Sequence, residues 1–387
     1  MKRISSFTIS VFILLCVFLT ANSAGATKVE IRGQIANETA GIRNYLDLSS
    51  GFVSWGPQNF AGFYYDATDE LGNENLTLIP TLTSGVPGRT IAENNLIYST
   101  RGDAKQLKVV EERFNGDAAA ATAAGLEGFG AGDMSAVAGS YKIVGWQAKK
   151  YVALKNKTNR LANLVIEHGQ AERKTLAAGE SWDVGGGWTL TAQSIDARAW
   201  PPALLTLNKD GIKKDEKVIS DAKIYTYVEK SLGDEIGVPV FVTLVTFPAE
   251  EPAEIMQLRY TWAIDTSVTE IKADDQYGVF KVREADVDQI RMSTDSLLIL
   301  PQDSIVDLIG GMNFRVVDSP TLRFYPVVEY ETKTDSPTLS PTSAITADPS
   351  AALPKEIMSE SKETPGFEVI IAIVALGAVS IFKKKRI

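Results

Sequence analysis

From Met256 to Ile264 every second residue is apolar and large: Met256, Leu258, Tyr260, Trp262 and Ile264 alternate with Gln257, Arg259, Thr261 and Ala263. A period of two cannot build one apolar stripe along a helix, but an extended strand puts alternate side chains on one face. The segment reads as a half-buried antiparallel strand. Trp188, Leu190 and Ala192 alternate in the same way with Thr189, Thr191 and Gln193. Residues 239–247 are almost continuously apolar and read as a strand buried on both faces. Asp210-Gly211, between two apolar runs, is a hairpin turn or longer loop, and Gly185-Gly186-Gly187 a tight turn before Trp188. No amphipathic helix longer than three turns is found. The fold class expected is mainly all-β, and a body of about 300 residues is large enough for two β-sandwich domains.

The two ends differ from this body. Lys2 and Arg3 precede an apolar run over residues 9–19, interrupted only by Ser10, and small residues follow through Ala26. This is the order of a secretory signal, too short to span a bilayer core of about 30 Å, with cleavage expected after Ala24 or Ala26. The single cysteine, Cys16, leaves with that signal, so the exported chain is stabilised without disulfides. At the other end, residues 369–382 are apolar and Lys383-Lys384-Lys385-Arg386 follows at once. Fourteen helical residues reach about 21 Å, so the segment reads as a sorting or stop-transfer signal whose basic cluster stays on the cytoplasmic side. Residues 332–364 carry Ser, Thr or Pro at 16 of 33 positions and no aromatic residue, the composition of an extended stalk.

Charge and rare residues narrow the chemistry. The chain has 39 basic and 48 acidic residues, a net of −9. Six of the 39 basic residues but only one of the 48 acidic ones lie in residues 1–26 and 365–387, so the part between is at −14. That balance opposes nucleic-acid binding. One histidine and one cysteine exclude zinc sites built from several of either. His168 has no nucleophile placed beside it by spacing and reads as a surface-loop residue. The carboxylate pairs Glu250-Glu251, Asp274-Asp275 and Asp286-x-Asp288 read as a solvated acidic face; Asp286-x-Asp288 leaves room for loose calcium binding but lacks the rest of an EF-hand loop. No cofactor is expected, and the chain reads as a non-enzyme.

Residues 116–140 hold Ala or Gly at 15 of 25 positions. Gly128-x-Gly130-x-Gly132 lacks the preceding strand and acidic partner of a dinucleotide site, so the segment is expected to be a flexible loop or an inter-domain crossing. Arg101-Gly102-Asp103 is an adhesion tripeptide in form, which chance explains. Asn37, Asn75 and Asn156 open N-glycosylation sequons, Asn37-Glu38-Thr39, Asn75-Leu76-Thr77 and Asn156-Lys157-Thr158.

Two resemblances add to this reading. Pro365-Gly366-Phe367, the apolar segment and the basic tail together resemble the C-terminal sorting signal of archaeal surface proteins; this implies processing by an archaeosortase-type enzyme, transfer to lipid and tethering at the outer face of the cytoplasmic membrane. In the body, Tyr141-Lys142-Ile143-Val144-Gly145-Trp146 and its continuation to Ala153, Gly179-Glu180-Ser181-Trp182, residues 185–197 and Tyr225-Thr226-Tyr227-Val228-Glu229-Lys230-Ser231-Leu232 resemble Methanosarcina-type S-layer proteins. So do residues 59–66, 257–264 and 277–282. The resemblance, to the S-layer duplication domain, implies two β-sandwiches joined by several chain crossings over residues 27–331. It implies a structural cell-surface protein that self-associates, with other S-layer subunits, into a porous acidic sheet giving envelope integrity and a size- and charge-selective barrier. Major proteins of the family usually carry two copies of the domain, and this chain has room for one. The alternative is a surface adhesin or ligand-binding protein on the same scaffold.

Overall fold

The computed structural model describes residues 27–38, 45–80, 89–196, 202–248 and 255–332. In chain order the strands are β1 (Thr27–Arg32), β2 (Ala36–Asn37), β3 (Leu46–Asp47), β4 (Val53–Trp55), β5 (Asn75–Leu78), β6 (Thr90–Ile91), β7 (Leu96–Gln106), β8 (Ser140–Trp146), β9 (Lys149–Leu154), β10 (Lys157–Glu167), β11 (Arg173–Ala177), β12 (Ser181–Gly185) and β13 (Trp188–Ile195). They continue as β14 (Ala203–Lys209), β15 (Ile212–Ile219), β16 (Lys223–Leu232), β17 (Glu235–Thr246), β18 (Ile255–Glu270), β19 (Gln276–Tyr277), β20 (Phe280–Ala285), β21 (Gln289–Thr294), β22 (Leu298–Ile299), β23 (Ser304–Ile309), β24 (Met312–Val316) and β25 (Arg323–Thr332). Among the described residues helix is confined to the short 3-10 turn Leu48–Ser50, the π-helical turn Val109–Arg113 and the helix α1 (Ala118–Ala123). The mainly β reading of the sequence holds.

One sheet of 13 strands runs β16-β17-β18-β10-β9-β8-β7-β21-β20-β19, with β11 beside β18 and the β4–β5 pair beside β7. Two smaller sheets pack on it. The sheet β12-β13-β14-β15 closes a first core, in which Trp188, Leu190, Leu205 and Leu207 meet Phe241, Leu258 and Trp262. The sheet β23-β24-β25-β2-β3, with β1 on β25, closes a second core around Trp55, Tyr98, Phe280, Phe314 and Phe324.

The two cores share strands. In β8, Tyr141 and Ile143 face the first core while Val144 and Trp146 face the second. Val152 against Ala153 in β9, and Ala162 against Leu161 in β10, divide in the same way. Strict alternation along a strand makes this possible, because neighbouring side chains leave by opposite faces. All seven residues of β8 are buried as a result. No single cut of the chain separates the two cores.

The expected strands and turns are where the sequence placed them. Met256, Leu258, Tyr260, Trp262 and Ile264 are buried in β18, but the strand is half-buried only up to Arg259, because Thr261 and Ala263 are buried as well between neighbours on both faces; β17 is buried without break from Val238 to Val245. Asp210 and Gly211 join β14 to β15 with φ of 51° and 77°, the left-handed pair of a tight hairpin, and Gly186-Gly187 does the same between β12 and β13.

Residues 116–140 are a correction. They are a crossing from β7 to β8, but a packed one. Asp117 caps α1 by accepting from the N–H groups of Ala119 and Ala120, and Leu126, Phe129 and Met134 are buried in the first core. The small residues serve close backbone approach. Ile224 donates its N–H to the Ala124 carbonyl at 2.9 Å, and a Cβ on Gly125 would stand 2.4 Å from the Ile224 carbonyl oxygen. Among the described residues no helix is long and apolar enough to cross a membrane; the C-terminal apolar segment lies outside them.

Candidate assembly and tether sites

The strand that leads into the Ser/Thr/Pro-rich segment is β25, and it is held on both sides. Met312 to Val316 of β24 pair with residues 324–328 along one edge. Along the other, β1 pairs from Thr27↔Thr332 through Arg32↔Val327. The first described residue and the last therefore sit opposite one another. Lys28 and Glu329 form an ion pair at 3.5 Å across this seam, and the Arg32 guanidinium lies 5.6 Å from the Tyr325 ring centre. A pull along β25 would load both ladders at once, because antiparallel bonds run perpendicular to the strand. The expected cleavage sites after Ala24 or Ala26, and Pro365, Gly366 and Phe367, lie outside the described residues.

Buried charges fix the body internally. Lys105, only 6% exposed, pairs with Asp66 at 2.9 Å, Asp69 at 2.8 Å and Glu167 at 3.1 Å. Glu167 also takes Lys150 at 3.1 Å and the Tyr141 hydroxyl at 2.6 Å. Burial opposes the Lys105 charge, but its hydrogen bonds to Asp69 and Asp66 and the charge of Glu167 outweigh it and raise its pKa. Glu74 is a fully buried carboxylate in the second core. It accepts from the Tyr98 hydroxyl at 2.5 Å and from the N–H groups of Tyr64 at 2.8 Å and Ala148 at 2.9 Å. Burial raises its pKa, against the pull of those bonds. A third cluster ties Arg160 and Lys157 to Glu235, and Arg160 to Glu270 at 3.1 Å. Nothing in the local sequence marks Lys105, Glu74 or Arg160 as special; their partners lie far away along the chain.

The outer strands present two kinds of edge. β15 carries Lys213, Lys214, Asp215, Glu216 and Lys217, charges that discourage another strand from adding. β23 has a single charge, Asp307, and its Ile305 is 52% exposed. The Leu308 carbonyl accepts from Val279 N at 3.0 Å, covering one end of that edge. Among the described residues Ser304, Ile305 and Val306 make no backbone hydrogen bond beyond β24.

The sequence candidates scatter rather than converge. Asn37 in β2 is wholly buried. Asn75 in β5 is half-buried and accepts from the Ser54 hydroxyl at 2.6 Å and the Thr77 hydroxyl at 2.7 Å. Asn156 sits at the tip of the β9–β10 hairpin with φ 60°, partly exposed, and Thr158 of its sequon is buried, donating to the Val287 carbonyl at 2.8 Å. Half-buried His168 stacks on Trp182 with ring centres 5.9 Å apart, in the turn after β10. Asp286 accepts from the N–H groups of Asp288 and Gln289, which makes it a turn residue. Asp275 caps Lys272 N and Asp274 pairs with Lys281; Glu250-Glu251 lies outside the described residues. Arg101-Gly102-Asp103 lies inside β7, paired with β21 and β8, rather than on a loop tip.

Comparison with known proteins matches this body to one family. A family model described as "S-layer protein" matches residues 45–318, more than half of the chain, and a PGF-CTERM motif model matches residues 364–386. The major S-layer protein of Methanosarcina barkeri is 28% identical over 341 residues, covering 85% of this chain and 46% of that protein. Those of Methanosarcina acetivorans and Methanosarcina mazei are 28% and 27% identical, covering 78% and 84% of this chain and 40% and 46% of theirs. The chain spans less than half the length of these relatives.

Proposed function

The chain belongs to the S-layer protein family, and on that premise we propose that it is a structural subunit of a cell-surface lattice. It is exported, held at the outer face of the cytoplasmic membrane through its C-terminal sorting segment, and self-associates with other S-layer subunits into a porous sheet. An archaeosortase-type enzyme acts at the segment containing Pro365, Gly366 and Phe367. The observation that carries the reading is the double match, S-layer over residues 45–318 and the sorting motif over 364–386, with the doubly paired β25 as the last described strand before the sorting motif.

Several features support it. Two cores sharing β8, β9 and β10 give a body that resists shear. The open stretch of β23 around Ile305 offers an edge for a neighbouring subunit, while the charges on β15 direct contacts away from that strand. The net charge of −14 between the terminal segments would repel anions at pores, over about 10 Å at 0.1 M salt. Of the sequons, Asn156 at its hairpin tip and half-buried Asn75 are the positions open to a glycan on the folded body, and Asn37 is modified only before folding.

Cryo-electron tomography of cell envelopes, wild type against a deletion strain, tests this. Loss or altered spacing of the periodic layer supports a lattice role. An unchanged lattice in a strain that normally expresses the protein shifts the reading to a surface ligand-binding protein.

A further inference from the structure

We propose that a cavity of about 510 Å³ beside β11, β17 and β18 binds a small carboxylated sugar, a uronic acid unit. Arg113, Arg173 and Arg259 line it together with Gln170, Thr246 and Gln257. Arg173 and Arg259 are direct partners across the β11–β18 ladder. Like charges facing each other across strands destabilise a sheet unless an anion lies between them. Among the described residues no carboxylate forms an ion pair with any of the three arginines, in a chain whose net charge is −9.

The arginines are also incompletely bonded. Arg259 donates from Nη2 to Gln257 Oε1 at 2.9 Å, and its Nε is buried with no partner. Among the described residues Arg113, from the π-helical turn, makes no side-chain hydrogen bond or ion pair; its guanidinium carbon lies 5.7 Å from the Phe114 ring centre. The nearest acid in sequence, Glu112, spends its carboxylate on the Gln170 N–H at 2.7 Å. A guanidinium presents paired donors that match the two oxygens of a carboxylate.

Backbone geometry places these groups. Tyr260 has φ 52°, and the β17–β18 register slips between Val242↔Trp262 and Leu244↔Arg259, so a bulge interrupts β18 at the cavity wall. A bulge re-aims the side chains next to it and is a common device beside binding sites. Phe247, Pro248 and Tyr260 give an apolar wall for a sugar ring, and the amides of Gln170 and Gln257 and the Thr246 hydroxyl suit ring hydroxyls. The volume falls in the usual range for small-ligand pockets. This site does not depend on lattice assembly.

Isothermal titration calorimetry on the full-length protein in detergent tests the assignment, with galacturonate, galactose and inorganic phosphate as titrants. Saturable galacturonate binding is expected, with galactose and phosphate each at least tenfold weaker. Arg173→Gln, at an exposed position, should weaken galacturonate about tenfold, the scale of one charged hydrogen-bonding partner. Arg259→Lys should weaken it similarly, with an unchanged circular dichroism spectrum as the folding control. A uronate-terminated oligosaccharide binding tighter than the monosaccharide would identify a glycan as the source, and equal affinity a free sugar acid; both support the site. Equal binding of phosphate, or affinity unchanged in Arg173→Gln, overturns it. So does binding that appears only in the triple variant Glu250→Gln, Glu251→Gln, Glu254→Gln, since the arginines would then serve the chain's own carboxylates.

Discussion

The two cores lean on the same strands but are closed differently. The first is held mainly by aromatic and aliphatic packing: Trp262, 2% exposed, packs at 5.5 Å from Phe129 and 5.4 Å from Tyr141, and glycine-rich backbone lies directly on β16. The second surrounds a charge-bearing group. The Glu74 carboxyl is buried there and accepts from the Tyr98 hydroxyl and from the backbone N–H groups of Tyr64 and Ala148. The difference separates two ways of making a body rigid. Packing supplies most of the stability, whereas a buried hydrogen-bonded group penalises alternative packings in which its partners are lost. Because β8, β9 and β10 belong to both, neither core should melt while the other stays folded.

The largest expected effect tests that coupling. Trp262→Ala and Trp55→Ala each remove a buried indole, from the first and the second core respectively, and each should cost about 3–5 kcal/mol. Denaturant unfolding followed by tryptophan fluorescence and by circular dichroism should show one coincident transition in both variants. Two separated transitions in either would mean that the shared strands do not couple the cores.

A smaller effect sharpens the contrast between them. Glu74→Gln keeps the shape but aims an amide N–H₂ at a site built of donors, and should cost about 1–3 kcal/mol at neutral pH. Burial raises the Glu74 pKa above its ordinary 4.5, so the folded state holds the proton more tightly than the unfolded chain. That contribution to stability is complete below the ordinary value and is lost as pH rises through the raised one. Unfolding free energies measured across this range should show a decline that Glu74→Gln removes; an identical pH profile in the variant would remove Glu74 from the account.

The smallest effect concerns the sheet that closes only the first core. Gly211→Ala puts a Cβ on a residue with φ 77° in the β14–β15 turn, and should cost about 1 kcal/mol. Thermal melts should show a slightly lower midpoint in a transition still shared by both cores.

Much of this architecture is legible in the chain. The alternation at residues 256–264 and the unbroken apolar run at 239–247 identify β18 and β17 because side-chain period is a local property. Asp210-Gly211 and Gly186-Gly187 identify their hairpins because only certain residues accept positive φ at low cost. Residues 116–140 misled because alanine and glycine fit a flexible linker and a tightly packed backbone equally well, and only the proximity of Ile224 tells them apart. Asn37 likewise opens a complete sequon in the sequence, and its side chain is buried in the fold.

The sequence by itself determined the β class, the turns, the acidic balance and the C-terminal sorting motif, all of which depend on residues close together in the chain. Tertiary structure alone decided which face of β8 meets which core, that β1 lies against β25, and that Arg113, Arg173 and Arg259 share one cavity. Each of these joins residues far apart in sequence, and such pairings are chosen by the packing of the whole body rather than by any local preference.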